Sequence, residues 1–264
     1  MTALVRRNGT LITALALVAL YAWAIAGLEL QGVNLAERWH QAAAIFRIMV
    51  TEPEWTYLWK CGSYGCVSEL GQKILETLQM ALVGTTIGAV LAVPFGFLAA
   101  RNVAGARGSR VGKFILNAIR AFPEVVLALM LLKAVGLGPF AGVLTMGIHS
   151  IGMLGKLYAE VVEGIDRDVL EAMAACGASR SQAVAFGILP QVLPEFASFA
   201  IYRFEINVRA AAILGMVGAG GIGTPLIFAV NNRDWGRIGV ILLGIIAVVA
   251  VVDAVSSYLR RKLV

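Results

Sequence analysis

Four polar side chains interrupt an otherwise apolar stretch in the last third of the chain: Arg203, Glu205, Asn207 and Arg209. Ionisable groups in apolar helices usually face a partner or a water-filled cavity. Glu205 and Arg209 are four residues apart, so on a helix they share one face and can pair. Two interpretations stay open. The charges form an ion pair that holds two helices together, or the guanidinium groups of Arg203 and Arg209 line an aqueous path, where they suit bidentate contact with an anion.

Covalent chemistry has little support in the sequence. The two histidines, His40 and His149, are far apart, so no two-histidine cluster has metal-ligand spacing. No serine lies in a Gly-x-Ser-x-Gly turn. His149 precedes Lys156 and Glu160 and would suit a proton relay, but a lone histidine among glycine and serine is more often a packing residue. We therefore predict no catalytic residue and no metal site.

A glycine-rich run, residues 215–223, has five glycines in nine residues. It superficially resembles a phosphate-binding loop, yet it follows no predicted strand and lacks the Lys-Ser/Thr ending. We predict close helix packing that leads into a flexible turn.

The composition identifies the environment of these residues. Of 264 residues, 59% are hydrophobic and 14% charged, whereas soluble domains average about 45–50% apolar and about 25% charged. The long apolar runs predict an all-α polytopic membrane protein with about six transmembrane helices. The six predicted spans are Leu11–Leu28, Ile74–Ala100, Phe114–Val135, Phe140–Tyr158, Phe196–Met216 and Ile238–Leu259. The first span could pass for a signal peptide, but its length favours a retained helix.

The basic residues between the spans predict the orientation. Eleven lysines and arginines fall on the side of the N-terminus and six on the other side. Because basic residues are retained on the cytoplasmic side, both termini are predicted to be cytoplasmic. We expect two parts: residues 1–73, an N-terminal span plus a periplasmic loop with an interfacial helix, and residues 74–264, the core. In the loop, apolar residues between Leu35 and Val50 recur at helical spacing, so a short helix lies along the membrane surface or, alternatively, packs on the neighbouring spans. In that loop, Cys61 and Cys66 form either a disulfide or two free thiols, and we favour the disulfide.

Between the fourth and fifth spans lies an unusually polar segment, residues 159–195, which we call the polar segment. It contains an alanine-rich stretch that ends at Gly177 and, twelve residues later, Leu189 and Pro190. The pattern predicts two short helices separated at Gly177 and ended near Pro190. Their small side chains would let another protein approach closely.

The polar segment resembles the signature loop of ABC-transporter permease subunits. Five positions match that pattern in residue and spacing: Glu171, Ala172, Gly177, Leu189 and Pro190. Met173 replaces the third alanine, and Gly187 stands where the pattern prefers isoleucine. The resemblance implies a coupling helix that docks into a cleft of a cytoplasmic ATPase. In that role Glu171 would pair with a basic ATPase residue or cap the helix, Gly177 would allow the turn, and Pro190 would stop the second helix.

Further stretches resemble the permeases of phosphonate-type ABC importers, a group that includes phosphite importers. They are residues 135–144, 149–160, 189–192, 202–209 and 215–223. The resemblance implies a type I ABC importer permease fold in the bacterial inner membrane. It also implies a homodimer with two ABC ATPases and a periplasmic binding protein, with ATP and Mg bound by the ATPase and no cofactor in this subunit. The alternative in the same class is an importer of another solute such as methionine.

Two rival classes have less support. An intramembrane enzyme would need a cluster of His, Asp or Glu facing one cavity, and an ion channel would need a selectivity-filter loop. The sequence presents neither pattern. We expect no nucleic-acid partner, because the excess of basic residues follows the membrane orientation.

Overall fold

The computed structural model describes residues 2–27, 35–59 and 68–263, and these form helices without any strand. The chain divides into two compact units, residues 1–48 and 49–264. Cys61 and Cys66, the predicted disulfide pair, lie outside the described residues.

The first unit contains helix α1 (Thr2–Gly27) and most of helix α2 (Leu35–Thr51). The apolar part of α1, Thr13–Gly27, corresponds to the first predicted span. Helix α2 confirms the helix predicted in the loop after the first span. Its apolar side chains Trp39, Phe46 and Val50 are exposed.

The second unit holds the remaining helices. In chain order they are α3 (Thr56–Trp59), α4 (Glu69–Ala99), α5 (Arg101–Ala121), α6 (Glu124–Val135), α7 (Pro139–Glu163), α8 (Arg167–Ala175), α9 (Arg180–Gln182), α10 (Leu189–Leu214), α11 (Gly223–Asn231) and α12 (Trp235–Leu263). Two π-helical segments, Ala183–Ile188 and Gly215–Ala219, flank α10. By length and hydropathy α4, α7, α12 and the stretch Arg180–Ala219 can each cross a membrane.

The predicted third span is not one continuous helix. Helices α5 and α6 meet at an angle of 81° across Phe122 and Pro123, and together they form one further candidate span. Proline has no N–H and disfavours the helical conformation of the residue before it, and Phe122 accordingly has extended backbone angles. The span predicted over Phe114–Val135 therefore consists of parts of two helices, and Glu124 begins the second.

Helices α4 and α7 pack at very close range because glycines lie at their contact. A Cβ atom at Gly88 would lie 2.4 Å from the Cβ of Ser150, and one at Gly84 would lie 2.9 Å from the Cβ of Met146. Gly84 and Gly88 form the Gly-x-x-x-Gly spacing that lets membrane helices approach closely. This contact fixes the side chains of α4 and α7 that carry the central polar groups.

One end of α7 is tied to the start of α5 by polar contacts. The Glu163 carboxylate accepts hydrogen bonds from the backbone N–H of Arg101 (2.8 Å) and from Lys113 Nζ (2.9 Å). Asn102 Nδ2 donates to the carbonyl of Val162 at 2.6 Å. The basic residues predicted between the second and third spans therefore lie on a helix that is held against α7.

The glycine-rich run contains the close packing that its composition predicts. Gly218, Gly220 and Gly221 have positive φ angles. A Cβ at Gly215 would lie 2.3 Å from the carbonyl oxygen of Gly220, so only glycine fits there. The run leads from α10 into α11 and follows no strand, as predicted.

Candidate functional site

The four polar residues of α10 point to two opposite faces of the helix. Arg203 and Asn207 are four residues apart and share one face, and Glu205 and Arg209 share another. The two pairs are offset by two residues, which is a rotation of about 200° at 3.6 residues per turn. The sequence grouped them as one set, whereas the structure separates them into two sites.

Arg203 is at the centre of the first site and is 2% exposed. Its Nε donates to Ser150 Oγ at 2.9 Å, and its Nη1 donates to the sulfur of Met153 at 3.3 Å. Its Nη2 lies 2.9 Å from His149 Nδ1. Because a guanidinium only donates, Nδ1 must accept, so His149 is neutral and carries its proton on Nε2. Arg203 thus joins α10 to three residues of α7.

Asn207 extends this site to α4. Its Nδ2 donates to Thr85 Oγ1 at 2.8 Å and to Ser150 Oγ at 3.1 Å. Thr85, Ser150 and Arg203 lie near the middle of α4, α7 and α10, respectively, so the site is near mid-depth of the membrane-spanning helices. Among the described residues, Asn207 Oδ1 has no hydrogen-bond partner although it is buried.

Glu124 completes the site, and the sequence analysis missed it. One carboxylate oxygen lies 3.8 Å from Arg203 Nη2 and the other 3.6 Å from His149 Nδ1. Glu124 is the first residue of α6, directly after the break at Pro123. The available signal was an acidic residue inside an apolar run, immediately after a proline. We call Glu124, His149, Ser150, Arg203 and Asn207 the central polar cluster.

The structure does not bring together the three residues considered for a proton relay, His149, Lys156 and Glu160. His149 contacts Arg203 and Glu124. Lys156 and Glu160 instead pair with each other at 3.7 Å, and both are more than half exposed. His149 therefore belongs to the central polar cluster, and the Lys156–Glu160 pair is a separate surface contact.

The second site links α10 to α12. Glu205 accepts a hydrogen bond from Arg209 and another, at 3.2 Å, from Arg260 Nη2. Arg209 also donates to Asp253 Oδ1 at 2.9 Å. The carboxylate of Glu205 is mostly buried, while the side chains of Arg209 and Asp253 are more than 40% exposed. Glu205 and Arg209 therefore pair within α10, and their bonds to Arg260 and Asp253 link α10 to α12.

The polar segment contains the predicted turn at Gly177. Helix α8 ends at Ala175, and Gly177 follows with a φ of 75°, a conformation that favours glycine. Ser179 then caps α9, and its side chain and that of Gln182 form a reciprocal capping box. The first predicted short helix and the glycine turn are therefore confirmed.

Two expectations need correction: that Glu171 caps the first short helix and that Pro190 stops the second. Glu171 does not cap α8, because the N-cap is Asp166, which accepts from the N–H of Asp168. Glu171 is instead exposed, as is Ala172. Pro190 does not stop the second helix, since the chain continues from α9 through a π-helical segment into α10.

The physical reason lies in the irregular turn before the proline. Pro190 is in the first turn of α10, where a missing N–H does little harm. The wider π turn shifts the hydrogen-bond register there: the N–H of Leu189 reaches the carbonyl of Val184. Gln191 Nε2 donates to the carbonyl of Gly187 at 2.8 Å and supplies a further bond.

Two departures from the loop pattern lie next to each other in space. A Cβ at Gly187 would lie 3.4 Å from Met173 Cγ and 3.7 Å from Val169 Cγ1. These are ordinary contact distances, so Met173 and Val169 pack directly against the face of Gly187. Any atoms beyond Cβ at position 187 would have to fit beside the side chain of Met173, and this contact joins α8 to the π-helical segment.

The described residues contain no group of three His, Cys, Asp or Glu side chains that could hold a metal ion. Cys176 is an exposed free thiol. The residues brought together in the central polar cluster can bind, neutralise or exchange an ionic group, and they lack an activated nucleophile.

Comparison with known proteins identifies a family and several relatives that this chain resembles. Residues 92–264 match the family described as the binding-protein-dependent transport system inner membrane component. A phosphite transport system permease protein of Stutzerimonas stutzeri is 43% identical over 189 residues, 71% of this chain and 69% of the relative. A phosphate-import permease protein of Mycolicibacterium smegmatis is 36% identical over 197 residues, 74% of this chain and 37% of the relative.

More distant proteins share the fold. A relative described as a probable D-methionine transport system permease of Pasteurella multocida is 28% identical over 176 residues, 62% of this chain and 81% of the relative. Among solved structures, an inward-facing MetNI methionine ABC transporter superimposes with a TM-score of 0.65 at 22% identity, covering 74% of this chain and 96% of the other. Its permease chain therefore supports the type I importer fold. The chain belongs to the family of inner-membrane components of binding-protein-dependent transport systems, the multi-pass permease subunits of ABC importers, which work with a substrate-binding protein and a separate ATPase.

Proposed function

We propose that this chain is the permease subunit of an ABC importer for a small phosphorus oxyanion, such as phosphite or a phosphonate. The observation that carries the proposal is the 43% identity to a phosphite permease over 71% of the chain. A phosphate-import permease at 36% identity has a cargo of the same chemical class. The methionine alternative has weaker support, because the methionine permease relative is only 28% identical.

The central polar cluster suits an anionic cargo. Within the cluster the charges of Arg203 and Glu124 balance, and His149 is neutral. Arg120 adds a positive charge nearby, since its side chain packs against Gly152 of α7, three residues after His149. A guanidinium forms bidentate hydrogen bonds with phosphorus oxyanions. We therefore propose that Arg203 and Asn207 border the translocation path and that Glu205 and Arg209 have a structural role.

The polar segment is the proposed contact with the ATPase. Glu171 and Ala172 are exposed on α8, and Gly177 is exposed at the turn that follows. Leu189 and Pro190 begin α10, which carries Arg203. Movement of α8 would therefore reach the central polar cluster through one helix. ATP binding would close the two ATPases, and the polar segment would transmit this motion and open the path outward.

The proposed assembly is a homodimer of this chain with two ATPases inside and a binding protein outside. This arrangement requires the polar segment to face the cytoplasm. Basic residues at the ends of the spans support this orientation, with both termini cytoplasmic. Many apolar side chains of the candidate spans are exposed, among them Val90, Leu129 and Val251. These surfaces suit lipid contact and a second copy of the chain.

Reconstitution tests the proposed substrate class. The chain is purified with its ATPase, placed in proteoliposomes and supplied with the cognate binding protein. We expect ATP hydrolysis and uptake to be stimulated by phosphite or methylphosphonate but not by methionine. Stimulation by methionine alone would overturn the proposal, and phosphate measured in parallel narrows the preferred oxyanion.

A further inference from the structure

The side chain of Glu124 is more exposed than that of Arg203 and lies at the more accessible side of the central polar cluster. The side chain of Arg203 is 3% exposed, whereas that of Glu124 is 19% exposed and that of His149 is 21% exposed. An anion that approaches the central polar cluster therefore meets Glu124 and His149 before it reaches the guanidinium. Because Glu124 begins α6 directly after the break at Pro123, it can move without unwinding the middle of a helix.

The carboxylate of Glu124 is held loosely. Its distances of 3.8 Å to Arg203 Nη2 and 3.6 Å to His149 Nδ1 exceed the usual hydrogen-bond range. Its Oε1 atom is buried and has no hydrogen-bond partner among the described residues. A buried acceptor without a partner is unfavourable, which favours release of the carboxylate to water when another anion replaces it.

The partners of Glu124 keep donors for such an anion. Arg203 has five N–H groups, and among the described residues three of them have acceptors, one being the weak thioether of Met153. His149 uses Nδ1 as an acceptor and therefore offers its Nε2–H. Ser150 and Asn207 hold the other side of Arg203 and fix its orientation.

We infer that Glu124 competes with the phosphorus oxyanion for Arg203, and that this competition keeps the cargo weakly bound inside the membrane. The inference rests on the proposed function. A transporter must release its cargo, and a lone buried guanidinium would retain an oxyanion tightly. A carboxylate on a helix terminus has a charge of the same sign as the oxyanion and can form similar bidentate hydrogen bonds with a guanidinium. When the anion leaves, Glu124 pairs with Arg203 in its place. The guanidinium therefore keeps a negatively charged partner, and the next anion can displace the carboxylate again.

Binding and transport by the whole complex test this inference. Glu124→Gln removes the charge but keeps the size, Glu124→Asp keeps the charge, and Arg203→Gln removes the proposed contact. Glu160→Gln is the matched control, since Glu160 pairs with Lys156 on the exposed surface of α7. Sodium phosphite is titrated into each purified permease–ATPase complex without the binding protein, and uptake is measured in proteoliposomes with it.

We expect the Glu124→Gln complex to bind phosphite about tenfold more tightly than the wild type and to transport it several-fold more slowly. Glu124→Asp and Glu160→Gln stay close to the wild type, and Arg203→Gln loses binding. Equal or weaker phosphite binding by Glu124→Gln in an assembled complex would overturn the inference. Equal losses of uptake in the Gln and Asp variants of Glu124 would do the same. A wild-type complex that transports neither phosphite nor methylphosphonate would instead refute the proposed function.

Discussion

Glu205 illustrates how a charge is accommodated in a membrane-spanning helix. Its carboxylate is mostly buried and receives hydrogen bonds from Arg209 on its own helix and from Arg260 on α12. An unpaired charge at this place would be strongly unfavourable. Asp253 pairs with Arg209 at the rim of the same site and is far more exposed. The two acids therefore differ in burial while they share an arginine.

This difference predicts unequal effects on stability. Glu205→Gln leaves the charges of Arg209 and Arg260 without their shared partner, and we expect a loss of about 2–3 kcal/mol. Asp253→Asn breaks an exposed pair and should cost about 1 kcal/mol or less. Thermal unfolding of the purified complex in detergent measures both. Equal shifts of the melting temperature would show that burial does not govern the strength of this network.

Among the elements, the α4–α7 contact sets the position of the central polar cluster. Gly88 faces Ser150, and Ser150 in turn accepts hydrogen bonds from Arg203 and Asn207. The spacing of the two helices is therefore coupled to the geometry of the cluster. Gly147 lies on the same interface, but a Cβ there would lie 3.4 Å from Ile87 Cγ2, which is an ordinary contact.

A methyl group at Gly88 should separate the two helices. We expect Gly88→Ala to destabilise the protein by about 2–3 kcal/mol, since a rigid Ser150 Cβ lies 2.4 Å from the new atom. Gly147→Ala is the matched control, with an expected change of about 1 kcal/mol or less. Thermal unfolding and the yield of assembled complex check this. A Gly88→Ala variant as stable as Gly147→Ala would contradict the close packing.

The contact between α8 and the π-helical segment gives a second prediction for the elements. Gly187→Ile adds a branched side chain beyond a Cβ that would already touch Met173 at 3.4 Å, so we expect a loss of stability of about 1–3 kcal/mol. Adding Met173→Ala removes this neighbouring side chain, so the double variant should recover at least half of that loss. A double-mutant cycle on the thermal unfolding of the complex measures this coupling. Additive effects would show that the two residues do not compensate each other.

At the scale of the whole molecule, the proposed function requires the polar segment to pass motion to the spans. A Cβ at Gly177 would meet no atom within 4 Å, so a side chain there would not clash within the chain. The φ of 75° is nevertheless unfavourable for most residues. A change at Gly177 should therefore affect the docking surface much more than the membrane-spanning core.

We expect Gly177→Asp to abolish uptake and the binding-protein stimulation of ATP hydrolysis while membrane insertion stays intact. Gly164→Asp adds the same charge near the other end of α8, where φ is −78°, and should keep more than half of the uptake. Co-purification with the ATPase, uptake and membrane content are measured for both variants. Full stimulation of ATP hydrolysis in Gly177→Asp would count heavily against the proposed contact.

The local features of this chain were predictable because they depend on near neighbours. Hydropathy predicts the apolar runs. The glycine at 177 predicts a turn, and its φ is positive in the structure. The four-residue spacing predicts the Glu205–Arg209 pair. The break at Pro123 was open to prediction by the same local rule, since a proline and an acid interrupt an apolar run. The error at Pro190 has a different origin, because a π-helical turn absorbs the proline and the sequence gives no direct signal of it.

The amino-acid sequence by itself determined the membrane-spanning helices, the polar segment between two of them and the set of polar residues on α10, because hydropathy and spacing act within one helix. Only the tertiary structure decided that Arg203 meets His149, Ser150 and Glu124 while Glu205 meets Arg260. Those partners come from other helices, 53 to 79 residues away in the chain. The close approach of α4 to α7 and the bend before α6 bring them together, and neither can be computed from one helix alone.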